Sequence, residues 1–204
     1  MEEPKAGSPD VALKVQVFLP RTLLGRIAFA GAGLTVLGLA FAQPAVGPRR
    51  EITLSALSVP LSATEPSLDR VGALRFKGGL SLRSKDERFG GLSGLSVEEK
   101  GGELAVIALT DQGDKFSGRL ILEGGQLRGI ESASINPLAD LEGKPVAGKS
   151  FGDAESITRL SNGSVLVGFE RRHRIWVYGP GLTGPAKVFD TPQALEGAPS
   201  NGGL

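Results

Sequence analysis

Two stretches of the chain share one plan: FGGLSGLSVEEKGGELAVIALTD (residues 89–111) and FGDAESITRLSNGSVLVGFE (residues 151–170). Each has Phe-Gly, a segment of small residues, a glycine-containing turn, a strongly apolar segment and a final acidic residue. A third opening, NGGL, occurs at residues 201–204. The openings are 62 and about 50 residues apart, a spacing that indicates a repeated supersecondary unit such as a propeller blade.

The apolar segments of these repeats predict short strands that are buried on both faces. AVIAL (residues 105–109) and VLVGF (residues 165–169) do not alternate between apolar and polar residues, as the strands of a sheet with one wet face would. Glycine pairs punctuate the segments, and 30 of the 204 residues are glycine, so no long helix is expected after residue 45. Stacked antiparallel sheets follow, in a β-propeller or, less cleanly, a sandwich. Trp176 and Tyr178 are expected to pack between sheets.

Composition excludes several classes of function. The formal net charge is +1, whereas a nucleic-acid partner requires a basic surface, so no nucleic-acid partner is expected. The chain has no cysteine, which excludes disulfides and thiolate metal sites.

The N-terminal segment predicts export from the cytoplasm. IAFAGAGLTVLGLAFA (residues 27–42) carries no charge, follows Lys14, Arg21 and Arg26, and ends in an Ala-Phe-Ala cleavage pattern before Gln43. A cleaved signal peptide predicts a periplasmic or secreted protein. The alternative is an uncleaved helix that anchors the protein in the membrane with its body facing the periplasm. The membrane is expected to be contacted only through this segment.

The order of several motifs resembles the phytase-like family, described as the domain with esterase-like activity of phytase. The motifs are GGLSL (78–82), RFGGLSGL (88–95), ALTDQGD (108–114), GDAESI (152–157), VGFERRHRIWVY (167–178) and NGGL (201–204). The resemblance covers most of residues 71–204. It implies an exported all-β propeller with acidic residues around a central channel.

This resemblance sets the expected domain organisation. Residues 1–42 form the signal or anchor, residues 43–70 an initial strand and linker, and residues 71–204 an incomplete propeller, truncated at its C-terminus. About half of a ring of roughly six blades is expected. A half ring exposes sheet edges, so self-association that closes them is expected as well.

Four carboxylates at matching places in the two repeats are the candidate catalytic residues: Asp111, Asp153, Glu155 and Glu170. Converging acids supply either a general acid and base or the oxygen ligands that Ca²⁺ prefers, and Asp153 and Glu155 are the predicted Ca²⁺ ligands. The alternative is that acids at strand ends only cap turns.

Two arginines are the candidate substrate-binding residues. Arg171, next to Glu170, and Arg119, in a polar stretch with Asp111 and Asp114, would bind an anionic group. The lone histidine, His173, is expected in a turn. The predicted function is hydrolysis of a small-molecule ester or phosphoester; the alternative is a non-catalytic propeller that binds a ligand or a protein partner.

Overall fold

A computed structural model of the protein describes residues 13–19, 49–190 and 199, and nearly every element in it is a β-strand. The described strands form three antiparallel sheets. The first contains β1 (Leu13–Leu19), β3 (Ser55–Val59), β4 (Arg70–Val71) and β5 (Leu74–Arg83), and its strand β5 pairs with the other three. The prediction of an all-β protein is confirmed.

The second and third sheets are up-and-down meanders. The second contains β2 (Arg50–Glu51), β6 (Leu92–Lys100), β7 (Glu103–Thr110), β8 (Asp114–Glu123) and β9 (Gln126–Pro137). After a single helical turn, α1 (Lys149–Gly152), the third contains β10 (Ala154–Arg159), β11 (Val165–Phe169), β12 (Arg174–Gly179) and β13 (Thr183–Phe189). The strand order is β2-β9-β8-β7-β6 in the second sheet and β10-β11-β12-β13 in the third. Sequential pairing of four antiparallel strands is also the plan of a propeller blade.

Glycine pairs make the tight turns that the sequence predicts. Gly101 and Gly102 join β6 to β7 as a two-residue loop, with φ of 62° and 83°. Gly124 and Gly125 join β8 to β9 in the same way, with φ of 57° and 73°. Positive φ at both positions is the requirement of the hairpin turn that matches strand twist, and glycine meets it without steric cost.

Strand β7 shows directly that sheets stack on both of its faces. Val106 and Ala108 belong to a core shared with the first sheet, whereas Leu109 belongs to a second core shared with the third sheet. Ile107 packs against that second core. Because alternate residues of a strand point to opposite faces, β7 is covered on both sides. The second core buries Trp176 and Tyr178, which confirms their predicted packing role.

Strands β6 and β10 are the first strands of neighbouring meanders, and they contact each other. Gly94 in β6 lies so close to β10 that a Cβ there would be 3.2 Å from the backbone of Ser156. Glu98 of β6 forms an ion pair with Arg159 of β10. The beginnings of β6 and β10 therefore lie at the same end of the two sheets, which is where the repeated Phe-Gly openings occur.

The predictions for the N-terminal segment are only partly covered by the structure. Within residues 1–42, the predicted signal or anchor, only Leu13–Leu19 are described, and they form a strand paired with β5 instead of part of a helix. The apolar run 27–42 and the third opening at 201–204 lie outside the described residues. Among the helices that are described, none is long and apolar enough to span a bilayer.

Residues 43–70, for which one initial strand and a linker are predicted, contain two complete strands, β2 and β3. These two strands pair with β9 and β5, so they complete the second and first sheets. A closed ring of blades is not seen in the described part of the chain, and the propeller therefore stays a prediction.

Candidate active site

The two repeats place equivalent residues at equivalent positions. In the first repeat, the backbone N–H of Asp111 donates to the carbonyl of Gly91 over 2.9 Å. In the second repeat, the N–H of Glu170 donates to the carbonyl of Asp153 over 2.8 Å. Each bond joins the start of the first strand to the end of the second, so Asp153 corresponds to Gly91 and Glu170 to Asp111.

This correspondence explains why only the second repeat carries a pair of carboxylates at its opening. At Gly91, with φ of 52°, an added Cβ would overlap the carboxylate of Asp111. The second repeat has Asp153 with φ of −61°, and its side chain is accommodated in a buried position. At these two equivalent positions the first repeat therefore carries one acid, Asp111, whereas the second carries two, Asp153 and Glu170.

Three of the four predicted acids converge at the start of β10. One carboxylate oxygen from each of Asp153, Glu155 and Glu170 lies within 4.8 Å of the others. Asp153 is buried, with 2% of its surface exposed, and the other two are half-buried. Glu155 is the extra residue of a β-bulge, because Ala154 and Ser156 face successive residues of β11. Bulges commonly redirect side chains at functional sites. We call Asp153, Glu155 and Glu170 the acid group.

Asp153 is only half satisfied by its neighbours. Its Oδ2 accepts a hydrogen bond of 2.6 Å from Nε of Arg171, which also forms an ion pair with it. Its Oδ1 is buried and has no hydrogen-bond partner in the described part of the chain. An unsatisfied buried acceptor costs about 1–3 kcal/mol, and more if it is charged. Among the described residues, this oxygen therefore has no donor that offsets its loss of contact with water.

Arg171 is held in an unusual backbone conformation beside the acid group. It occupies the tight turn between β11 and β12 with φ of 60°, and the N–H of the following Arg172 donates to the carbonyl of Glu170 over 2.6 Å. A residue other than glycine seldom adopts this backbone conformation, and residues held in it occur often at functional sites. The Arg171 side chain is 37% exposed, and its Nε is the nitrogen that bonds to Asp153.

Asp111 lies outside the acid group but is linked to it by Lys149. The Nζ of Lys149 in α1 donates to Oδ2 of Asp111 over 2.8 Å. The hydrogen bond and charge of Asp111 raise the pKa of the Lys149 ammonium; the charge of Asp153 acts in the same direction, and that of Arg171 opposes it. Lys149 is therefore paired with Asp111, and its ammonium also interacts with the charge of Asp153. Sequence reasoning missed this residue, because it belongs to the connection between repeats and not to the repeat itself.

A close backbone approach brings the two repeats together here. Gly152, at the end of α1, packs against the β7–β8 turn so tightly that a Cβ would lie 2.8 Å from the Cα of Gly113. The GDAESI motif thus contains one glycine that is required for packing, directly before Asp153. This contact places Lys149 beside Asp111.

The structure does not bring Arg119 to the acid group. It lies in the middle of β8, opposite Ala105, and forms ion pairs with Glu103 and Glu131. Ala105 is six residues before Asp111 along β7, or roughly 20 Å at the rise of a strand. The sequence reading placed Arg119 in a loop, whereas the strand already begins at Asp114.

Asp114 and His173 also have partners away from the acid group. The Asp114 carboxylate is buried and is held by two nitrogens of Arg88. His173 lies in the predicted turn, and its Nε2 is 3.0 Å from the carbonyl oxygen of Pro199.

A separate cleft of about 770 Å³ is lined by residues 50–55 and 83–86. It contains none of the predicted site residues. Two of its charges, Arg50 and Asp86, pair with each other over 3.0 Å. The carboxylates predicted from the repeats therefore lie at the start of β10 and not in this cleft.

The protein is therefore an all-β protein of stacked antiparallel sheets. Its acids and cations form a polar site at the start of β10. Residues 87–204, more than half of the chain, match the Phytase-like family, whose description is esterase-like activity of phytase. The chain belongs to the Phytase-like family, which confirms the resemblance seen in the sequence. No curated protein and no solved structure gives a significant match. The family description points to hydrolysis of the esterase or phosphatase type.

Proposed function

We propose that the protein hydrolyses a small anionic phosphoester at the acid group, with a bound Ca²⁺. The observation that carries this proposal is the buried Asp153, which has one oxygen bonded to Arg171 and one without a hydrogen-bond partner in the described part of the chain, next to two further carboxylates. Family membership supports hydrolysis, and the exposed cation beside the acids favours a phosphoester over a neutral ester.

The donor set fits Ca²⁺. This ion takes six to eight oxygen ligands at 2.3–2.6 Å, so two oxygens that share it lie at most about 5 Å apart. The oxygens of Asp153, Glu155 and Glu170 lie within 4.8 Å of one another, which meets this limit without rearrangement. They would hold the ion, and the exposed side of the group leaves room for water and substrate. When bound, Ca²⁺ would polarise a phosphoryl oxygen and increase the acidity of water.

The side chains of the chain itself supply the remaining functions. The two Nη nitrogens of the partly exposed Arg171 side chain would donate hydrogen bonds to the phosphoryl oxygens, in the two-pronged manner that guanidinium groups favour. Glu155 and Glu170, which are half-buried, are close enough to water to accept a proton from it during attack. Asp111 acts indirectly, because its ion pair with Lys149 holds that ammonium beside Asp153.

The proposal extends to the assembly and the location of the protein. The two complete meanders act as consecutive propeller blades, and a second copy of the chain covers the remaining edges. The uncharged run at residues 27–42 and the bases before it support export to the periplasm or beyond, as a released or a membrane-anchored protein.

Hydrolysis assays with the purified full-length chain test the proposal. p-Nitrophenyl phosphate, bis-p-nitrophenyl phosphate and p-nitrophenyl acetate are compared with Ca²⁺ and with a chelator. We expect Ca²⁺-dependent turnover of a phosphate substrate that falls at least about 100-fold in Asp153→Asn, because the negative charge and one of the two carboxylate oxygens are lost. The matched control is Glu99→Gln, an exposed acid of β6, which keeps full activity.

Two results would count against hydrolysis of phosphoesters. Turnover of the acetate alone would make the protein a carboxylesterase. Ca²⁺ binding without any turnover would favour the alternative function, a propeller that binds a ligand or partner.

A further inference from the structure

Arg174 is the first residue of β12 and pairs with Phe169, the residue directly before Glu170. Its guanidinium carbon is 4.0 Å from the ring centroid of Phe169, 4.4 Å from that of Trp176 and 4.5 Å from that of Phe151. Phe151 and Phe169 each pack edge-to-face against Trp176. A cation enclosed by three aromatic rings is held by attraction to their faces, and little of its motion remains.

The same guanidinium connects the two loops that carry the acid group. Its Nη2 donates to the carbonyl oxygen of Phe151, two residues before Asp153. Its Nη1 donates to the carbonyl oxygen of Arg172 over 2.9 Å, and Arg172 directly follows Arg171. Both chain segments that meet in the Arg171–Asp153 ion pair are thus bonded to one rigid, planar group.

A lysine would not reproduce this connection. The guanidinium presents donors in a fixed planar arrangement, whereas an ammonium is a single point charge on a flexible stem. Burial lowers the pKa of Arg174 to about 10, which leaves the side chain charged at neutral pH. Loss of the guanidinium would free the two loops from each other while leaving the strands of the third sheet in place.

We propose that Arg174 is a positioning residue for the acid group, which sets the separation between Asp153 and Arg171 by bonding the backbone of both loops. The expected effect on Ca²⁺ binding rests on the proposed function, since a displaced Asp153 and Glu170 would bind Ca²⁺ more weakly. The effect of Arg174 on the separation between Asp153 and Arg171 depends on no metal and on no reaction. Arg174 acts only through the backbone of the two loops and touches no substrate, so it is not a catalytic residue.

The test uses Arg174→Lys in the full-length chain and follows the Nε–H proton of Arg171 by NMR below the unfolding temperature, without metal. In the wild type this proton is bonded to a buried carboxylate, so its resonance is shifted from that of a free arginine and it exchanges slowly with water. We expect exchange at least about 10-fold faster in Arg174→Lys, the scale on which supporting contacts act at polar sites. The matched control, Arg128→Lys, changes an exposed arginine of β9 and should leave the resonance unchanged.

A purely structural role for Arg174 would lower the melting temperature and leave the Arg171 resonance unchanged in the folded variant. That result would overturn the proposal. If Arg174→Lys does not fold, Arg174→Gln provides a second variant. It retains one donor nitrogen and no charge, and faster exchange of the Arg171 Nε–H proton is expected for it as well. The fluorescence of Trp176, the only tryptophan, verifies that the rings remain packed.

A Ca²⁺ titration of the same proteins separates this inference from the proposed function. If the wild type binds Ca²⁺, we expect the dissociation constant of Arg174→Lys to rise at least about 10-fold. If the wild type binds none, the proposed metal site fails, while the Arg171 resonance still decides whether Arg174 positions the loops.

Discussion

Replacing Glu155 by glutamine should stabilise the protein without Ca²⁺ and abolish most of the stabilisation that Ca²⁺ provides. The substitution keeps the size of the side chain and removes one of three negative charges whose oxygens lie within 4.8 Å of one another. At this distance each pair of charges repels by about 0.9 kcal/mol in bulk water and about 3.5 kcal/mol at an effective dielectric constant of 20. Glu155 is half-buried and takes part in two pairs, so a gain of about 1–2 kcal/mol is expected after partial screening.

Thermal unfolding followed by circular dichroism measures both effects. For a chain of this size, 1 kcal/mol corresponds to about 2–4 °C, so the metal-free variant should melt about 2–8 °C above the wild type. Ca²⁺ at 100 times its dissociation constant should add about 2.7 kcal/mol to the wild type, or about 5–11 °C. If the variant binds 100-fold more weakly, the same concentration adds only about 0.4 kcal/mol, or about 1–2 °C.

Glu155→Gln should raise the melting temperature without Ca²⁺ but reduce the increase that Ca²⁺ causes. A general change in stability would not produce both effects. Glu99→Gln, also in a strand but exposed and outside the acid group, should change neither temperature. Sodium chloride of equal ionic strength controls for screening. A variant that melts no higher than the wild type without Ca²⁺, and that keeps the full Ca²⁺ shift, would refute the reasoning.

Three further outcomes are expected. Gly91→Ala should lower the free energy of unfolding by clearly more than Gly101→Ala in urea titrations, since both glycines have positive φ but only the first substitution overlaps a carboxylate; equal losses would contradict this. Burial raises the pKa of Tyr178, the only tyrosine, so folded protein at pH 11 should show no phenolate absorbance at 295 nm. The associated stability is present below a pH of about 10, the unfolded pKa, and should decline as pH rises above it, in the wild type but not in Tyr178→Phe. Arg119→Ala should keep its hydrolytic activity and Arg171→Ala should lose it, and equal losses would show that the assigned positions are wrong.

The convergence of Asp153, Glu155 and Glu170 was predictable from the sequence because it depends on local connectivity. The first and second strands of one repeat form a hairpin, so the start of one lies beside the end of the other. The hydrogen bond from the Glu170 N–H to the Asp153 carbonyl is the direct expression of this neighbourhood. Burial of the strands on both faces was likewise visible in the absence of alternation within AVIAL and VLVGF.

Residues whose positions depend on long-range packing could not be assigned in this way. Lys149 reaches Asp111 only because Gly152 packs against Gly113, a contact between two different meanders. Asp114 was grouped with Asp111 by spacing alone, whereas its burial depends on Arg88, 26 residues earlier. Such contacts follow no local period, so a single sequence does not reveal them.

The extent of β8 decided the position of Arg119. A polar stretch with aspartates and glycine reads as a loop, yet the structure continues it as a strand from Asp114 to Glu123. A shift of a few residues in one strand boundary is enough to move a side chain from the end of a sheet to its middle.

The most direct test of the central claim is calorimetric titration of Ca²⁺ into the purified full-length protein and into Glu155→Gln and Glu170→Gln. We expect one Ca²⁺ per chain in the wild type and at least about 100-fold weaker binding in each variant, with Glu99→Gln unchanged. Absence of binding in the wild type, or equal binding in the two acid-group variants, would contradict the claim that Asp153, Glu155 and Glu170 together form a cation site.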